Sequence, residues 1–132
     1  MAAIRRVAIA GVDHWHAAMH VDGLRRAGAE IVGVSSQQPA AAEAWAVRLG
    51  CRSWSDARRL VEETRPDFVV GMARHADMPA LALYLIETGL PFAIEKPLGL
   101  NAAQVAQLAE AARRRGSFAA VPLVNRYSPL WD

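Results

Sequence analysis

What most constrains this chain is a regular alternation of two patterns along its length. Short apolar runs suited to buried strands recur at Arg5–Ala10, Ile31–Val34, Cys51–Ser53, Asp67–Met72, Phe92–Ile94 and Phe118–Val121. Between them lie segments with helical spacing. Trp15 to Ala27 sets Ala17, Val21 and Leu24 on one face and stops at Gly28, and alanine-rich Ala40 to Leu49 stops at Gly50. Ser55-Asp56 caps a helix running to Thr64, and Asp77 caps one whose stripe is Met78, Leu81, Ala82 and Leu85. Asn101 caps the last, with Ala102, Val105, Leu108, Ala109 and Ala112 as its stripe. Short connections and the absence of a low-complexity linker make each strand–helix–strand step a parallel unit. The expected fold is therefore α/β: a doubly wound parallel sheet, Rossmann-like, in three α/β/α layers. Such sheets bind ligands beyond the carboxyl ends of their strands. An irregular tail begins at Pro122.

The turn after the first strand is where a dinucleotide phosphate would bind, on backbone N–H groups and a helix N-terminus. The expected G-x-G-x-x-G reads here Gly11-Val12-Asp13-His14-Trp15-His16. Only the first glycine, needed for the tight turn, is kept. Asp13 stands where a glycine lets the backbone approach the phosphates. It is also a good N-cap for the helix, and a carboxylate there would compete with a bound pyrophosphate. His14 and His16 offset that charge only when protonated or suitably oriented. About twenty residues further on, the acid that usually meets the adenosine ribose is replaced by Ser36, in Ser35-Ser36-Gln37-Gln38. Losing that carboxylate leans the cofactor towards NADP rather than NAD, although no adjoining arginine stands ready for a 2′-phosphate. The altered turn also suits a different class of protein, a non-catalytic binding or regulatory module on the same fold.

Asp13, His14, His16 and His20 cluster in sequence, and His16 and His20 share a helix face at i, i+4. With His75 and Asp77 they invite a zinc site. No complete ligand motif of known spacing is present, so no metal is assigned, and polar residues of a ligand crevice or satisfied helix-face histidines are the favoured reading.

The apolar run Phe92-Ala93-Ile94 stops on Glu95-Lys96-Pro97. Proline cannot donate to a sheet and biases the preceding residue towards extended backbone, so Glu95 and Lys96 fall at the carboxyl edge of a strand. Lys96 is the single lysine among 15 basic residues. Taking lysine against that bias suits a position needing a compact, titratable ammonium. Lys96 is the candidate catalytic residue, set against a simple surface Glu–Lys pair.

Composition excludes several classes. A net charge of +2 gives no electrostatic footprint for nucleic acid, and Arg113-Arg114-Arg115 reads as the solvated end of a helix. One cysteine, Cys51, allows no internal disulfide framework and fits a reducing compartment. No apolar stretch is long enough to span a bilayer and no secretory signal is visible, so the expected location is cytoplasmic with no membrane partner. The sheet edge and the apolar tail suit a homo-oligomer.

Taken as a set, these residues resemble the Gfo/Idh/MocA family (glucose–fructose oxidoreductase, inositol dehydrogenase). Glu95-Lys96-Pro97 looks like its Glu-Lys-Pro signature, Asp67 to Asp77 is similar to its fourth strand and turn, and Pro122 to Pro129, with Asn125-Arg126-Tyr127, to its crossing into a second domain. The resemblance implies an NAD(P)-dependent oxidoreductase acting on a sugar, polyol or related hydroxyl compound. It implies that Lys96 lies by the nicotinamide and the substrate hydroxyl, with Glu95 holding it. The cofactor would meet Gly11, Val12, Asp13, His14 and Trp15 in the first turn, and Ser35 and Ser36 after the second strand. It would also meet Met72, Ala73, Arg74 and His75 after the fourth strand, and Glu95 and Lys96 after the fifth. Residues 1–121 would be the dinucleotide-binding domain and 122–132 the start of the connection to a substrate domain that this chain lacks, so no turnover is expected from it alone. Met72-Ala73-Arg74 departs from the family's common Thr-Pro-Asn, and Asp77 stands where a histidine is common.

Overall fold

In the computed structural model, which describes residues 4–123 and 126, the alternation becomes a single six-stranded sheet. The elements follow one another as β1 (Arg6–Ala10), α1 (Ala17–Arg26), β2 (Glu30–Ser35), α2 (Pro39–Leu49), β3 (Arg52–Trp54) and α3 (Ala57–Thr64), then β4 (Phe68–Gly71), α4 (Met78–Thr88), β5 (Phe92–Ile94), α5 (Ala102–Arg115) and β6 (Ala119–Ala120). The spatial order is β3-β2-β1-β4-β5-β6, and every neighbouring pair is parallel. The order reverses at β1, and that reversal opens the crevice in which such sheets bind ligands.

Period-two alternation divides the core. Val7 and Ile9 of β1 pack with Val34 and Val70 against Ala17 and Val21 of α1 and Ala46 of α2. Ala8 and Ala10 face the other way, with Val69, Phe92 and Ile94, against Leu60 of α3, Met78, Ala82 and Leu85 of α4, and Leu108 of α5. Each face of the sheet is thereby covered, which is why the central strands read as unbroken apolar runs. Gly33 of β2 is a packing requirement: a Cβ there would lie 2.5 Å from the Trp54 ring and 2.7 Å from Leu60 Cδ1.

The stop and start signals act as their chemistry dictates. Gly50 closes α2 at φ 69°, and Gly28, one residue beyond the C-cap of α1, has φ 74°. The carboxylate of Asp56 accepts from Arg59 N at 2.9 Å, and the Asn101 side chain accepts from Gln104 N at 2.9 Å. Several expectations are corrected. Helix α1 starts at Ala17 rather than Trp15, because residues 12–16 are spent in the turn. β3 is shifted to Arg52–Trp54, since Cys51 N closes the preceding helix on Ala46 O. Ser35 belongs to β2 instead of breaking it. Asp77 sits at the N-cap of α4 but its side chain makes no capping bond; it accepts instead from Arg74 Nε at 3.0 Å. On α5 only Leu108 is buried, while Ala102, Val105 and Ala109 stay exposed, because two-residue β6 offers that edge little sheet to pack on. Asn125, Tyr127 and Trp131 lie outside the described residues. Among the described residues no helix is long and apolar enough to cross a membrane.

Candidate functional site

The carboxyl ends of β1, β2 and β4 meet around Gly11. Its φ is +89°, and a Cβ there would stand 1.7 Å from the carbonyl oxygen of Met72. Backbone cannot move aside as a flexible side chain can, so glycine is obligatory where β1 passes the end of β4. Gly11 N and Val12 N both donate to Ser35 O, at 2.8 and 3.0 Å, which ties the turn to β2. Val12 points into the core with 1% exposure and can offer a ligand only its backbone. Farther along, His14 N donates to Gly11 O and Ala17 N to His14 O. Among the described residues, the N–H groups of Asp13 and Trp15 serve no other protein group.

Asp13 does not cap α1. The N-cap position is taken by His16, whose side chain makes no capping bond. The Asp13 carboxylate turns the other way, to the end of β2, where it accepts from Ser36 Oγ at 2.5 Å and from Gln38 Nε2 at 3.5 Å. Ser36 is held in turn, because its Oγ also accepts from Gln38 N at 2.9 Å. This leaves the helix N-terminus uncovered by its own acid.

Beside this turn lies a crevice of about 290 Å³. Gly11, Asp13, Ser35, Ser36, Met72, Ala73 and Arg74, all singled out from sequence, line it. Asp77 lines it too, paired with Arg74. Sequence reasoning missed the far wall, where Asp56 and Arg58 at the start of α3 and Tyr84 of α4 close the space. The Arg58 guanidinium lies 4.5 Å from the centre of the Tyr84 ring. Burial pushes the Tyr84 hydroxyl above its ordinary pKa. No arginine adjoins Ser36 in sequence, yet Arg58 and Arg74 share its crevice; nothing local in the chain signals that approach.

A second group forms at the end of β5. Glu95 is 2% exposed, which rules out a surface Glu–Lys pair. One carboxylate oxygen takes hydrogen bonds from His16 Nδ1 at 3.0 Å and His20 Nε2 at 2.8 Å. The other accepts from the backbone N–H of Lys96 at 3.1 Å. Donation to that oxygen requires the proton on His16 Nδ1 and on His20 Nε2. Burial would raise the Glu95 pKa, but the hydrogen bonds from His20, His16 and Lys96 N outweigh it and hold the carboxyl below its usual value. Burial lowers the His14 pKa; Glu95 opposes it, while His16, Lys96 and His20 add to it. The Lys96 side chain is exposed, with Nζ 5.7 Å from the centre of the Trp15 ring, within cation–π reach. Trp15 is 78% exposed and rests against His16, ring centres 3.8 Å apart.

The structure thus divides the sequence candidates. Gly11, Asp13, Ser35, Ser36, Met72, Ala73 and Arg74 border the crevice, whereas His14, Trp15, Glu95 and Lys96 gather at β5, and exposed His75 joins neither. His16 and His20 converge on Glu95 rather than on His75 and Asp77. Among the described residues no three His, Cys, Asp or Glu side chains are arranged to hold a metal ion.

A parallel sheet in this order, with a glycine turn from β1 into α1 and a crevice where the order reverses, is a dinucleotide-binding domain. Residues 5–122 match the model of the Gfo/Idh/MocA oxidoreductase family, NAD-binding Rossmann fold, and the chain belongs to that family. No curated protein matches the sequence. Among solved structures, an NAD-binding oxidoreductase from Klebsiella pneumoniae is 28% identical, with a TM-score of 0.84 over 96% of this chain and 36% of its own. GenD2 from gentamicin A biosynthesis, in complex with NAD, is 25% identical, with a TM-score of 0.87 over 98% of this chain and 37% of its own. Myo-inositol 2-dehydrogenase from Lactobacillus plantarum shares the fold at 21% identity, with a TM-score of 0.84 over 96% of this chain and 38% of its own. The chain therefore spans little more than a third of those proteins. The free N–H groups of Asp13 and Trp15, the glycine contact and the crevice fit the dinucleotide that the family binds.

Proposed function

We propose that this chain is the NAD(P)-binding domain of an oxidoreductase that acts on a sugar, polyol or related hydroxyl compound. Residues 1–121 form the cofactor domain, and 122–132 begin the connection to a substrate domain. The observation that carries this is the clamp at β5: a buried carboxylate, fixed by the imidazoles of His16 at the N-cap of α1 and His20 within it, holds the backbone of Lys96 and leaves its ammonium exposed at the strand end. An ammonium so placed binds a substrate hydroxyl oxygen and stabilises the alkoxide charge that develops there. The nicotinamide, when bound, would accept the hydride, and the hydroxyl proton would leave to a base supplied by the substrate domain. Glu95 does not touch the reacting atoms in this scheme; it positions Lys96. The first-turn N–H groups and Gly11 receive the pyrophosphate, and the end of β2 receives the adenosine ribose. Exposed Phe118 and Leu123 beside β6 supply a surface for self-association.

Calorimetric titration of the 132-residue chain with NADH and with NADPH tests the cofactor half. Saturable binding of at least one is expected, and Lys96→Ala should leave it within about threefold, less than 1 kcal/mol. Absence of binding by folded protein would favour a non-catalytic module, the class that Asp13 in the phosphate turn otherwise supports.

A further inference from the structure

In dinucleotide-binding folds the carboxylate that reads the ribose diol normally comes from the end of β2. Here that end is Ser35-Ser36-Gln37-Gln38, with no acid among the four. Yet a carboxylate is present at that place in space. Asp13 reaches across from the β1 turn, 23 positions earlier in sequence, and accepts from Ser36 Oγ and Gln38 Nε2. Both Asp13 and Ser36 face the crevice. Ser36 is 3% exposed, and with Gln38 N donating to its Oγ, the hydroxyl proton is directed to Asp13.

We propose that Asp13 is the specificity-determining acid of the cofactor site, supplied from the first turn instead of the second strand, and that it selects NAD over NADP. This rests on the dinucleotide-binding function proposed above. The carboxylate has acceptor capacity beyond the Ser36 bond, so it can take hydrogen bonds from a ribose 2′-hydroxyl. A 2′-phosphate at the same place would bring two negative charges against it, and like-charge contact in a partly enclosed site is strongly unfavourable. The opposing influence is cationic. Arg58 and Arg74 line the same crevice, but Arg74 is paired with Asp77 at 3.0 Å and Arg58 lies on the Tyr84 ring. Neither neutralises Asp13, whose partners are Ser36 and Gln38.

The test is calorimetric titration of the 132-residue chain and its Asp13→Asn variant with NADH and NADPH, after circular dichroism has shown both folded. The parent should bind NADH on the order of 100-fold more tightly than NADPH. Asn keeps the shape and removes the charge, so Asp13→Asn should narrow that ratio at least about tenfold, mainly by tightening NADPH. A purely structural Asp13 would shift both affinities together and leave the ratio unchanged, which would overturn the proposal. NADPH preference in the parent would overturn it too, with dinucleotide binding intact. If neither protein binds either dinucleotide, the underlying assignment fails along with it.

Discussion

Replacing Glu95 tests whether the clamp at β5 is as structural as its geometry implies. In Glu95→Ala three donors lose their acceptor: His16 Nδ1, His20 Nε2 and the backbone N–H of Lys96. Hydrogen bonds to a charged group contribute about 1.5–3 kcal/mol each, so three at the low end give roughly 4–5 kcal/mol. The two imidazoles are 18% and 15% exposed, so water reaches them in the variant and recovers part of that loss. The expected cost is therefore about 3 kcal/mol, a large share of the 5–15 kcal/mol typical of a domain. Glu95→Gln separates charge from shape. Its carbonyl oxygen can still accept from both imidazoles, but its amide nitrogen would face the Lys96 N–H donor to donor, costing about 1–2 kcal/mol. Urea denaturation followed by far-UV circular dichroism measures both, with midpoint and slope fitted separately. If Glu95→Ala lies within about 0.5 kcal/mol of the parent, or Glu95→Gln costs as much as Glu95→Ala, the clamp does not carry the stability assigned to it.

Other consequences follow from the same contacts. Gly11→Ala should cost more than the ~1–2 kcal/mol of left-handed strain alone, because the new methyl overlaps the Met72 carbonyl; denaturation should show it, with dinucleotide binding lost in protein that remains folded. Asn101→Ala removes the acceptor for Gln104 N and should lower stability by about 1 kcal/mol in the same assay. Acid should destabilise the domain through two groups in turn. His14, its folded pKa lowered, stays neutral while the unfolded chain protonates, so its contribution is present above the ordinary 6.5 and falls away below it. Glu95, also lowered, contributes above its ordinary 4.5, and that contribution is lost as pH drops through its depressed folded value. A denaturation series from pH 7 to 3 should therefore lose part of its slope below pH 4.5 in Glu95→Gln, the remainder belonging to Asp67 and Glu63, whose carboxyls are also held below their ordinary values by hydrogen bonds; an unchanged profile would refute the assignment.

The local part of this protein was legible in its sequence. Period-two and period-3.6 patterns depend only on near neighbours, so strands, helices and the caps at Asp56 and Asn101 follow from them, as does the need for Gly11 in the first turn. Where a capping or packing rule met a competing partner, or lacked a surface to pack on, it failed. Asp77 prefers Arg74 to capping α4, Asp13 prefers Ser36 to capping α1, and the stripe of α5 stays exposed for want of a longer β6.

The site divides the same way. Sequence named Glu95, Lys96 and the first turn as candidates because they fall at the carboxyl ends of strands, where such sheets place ligands, and because Lys96 is the single lysine. Which side chains meet there was decided by tertiary structure. Glu95 lies 79 and 75 positions from His16 and His20, and only the placement of β1, β4 and β5 side by side brings them within hydrogen-bond distance. Asp13 reaches Ser36 because β2 packs against β1. A carboxylate's role depends on the donors and charges around it in space, and one-dimensional spacing does not encode those neighbours.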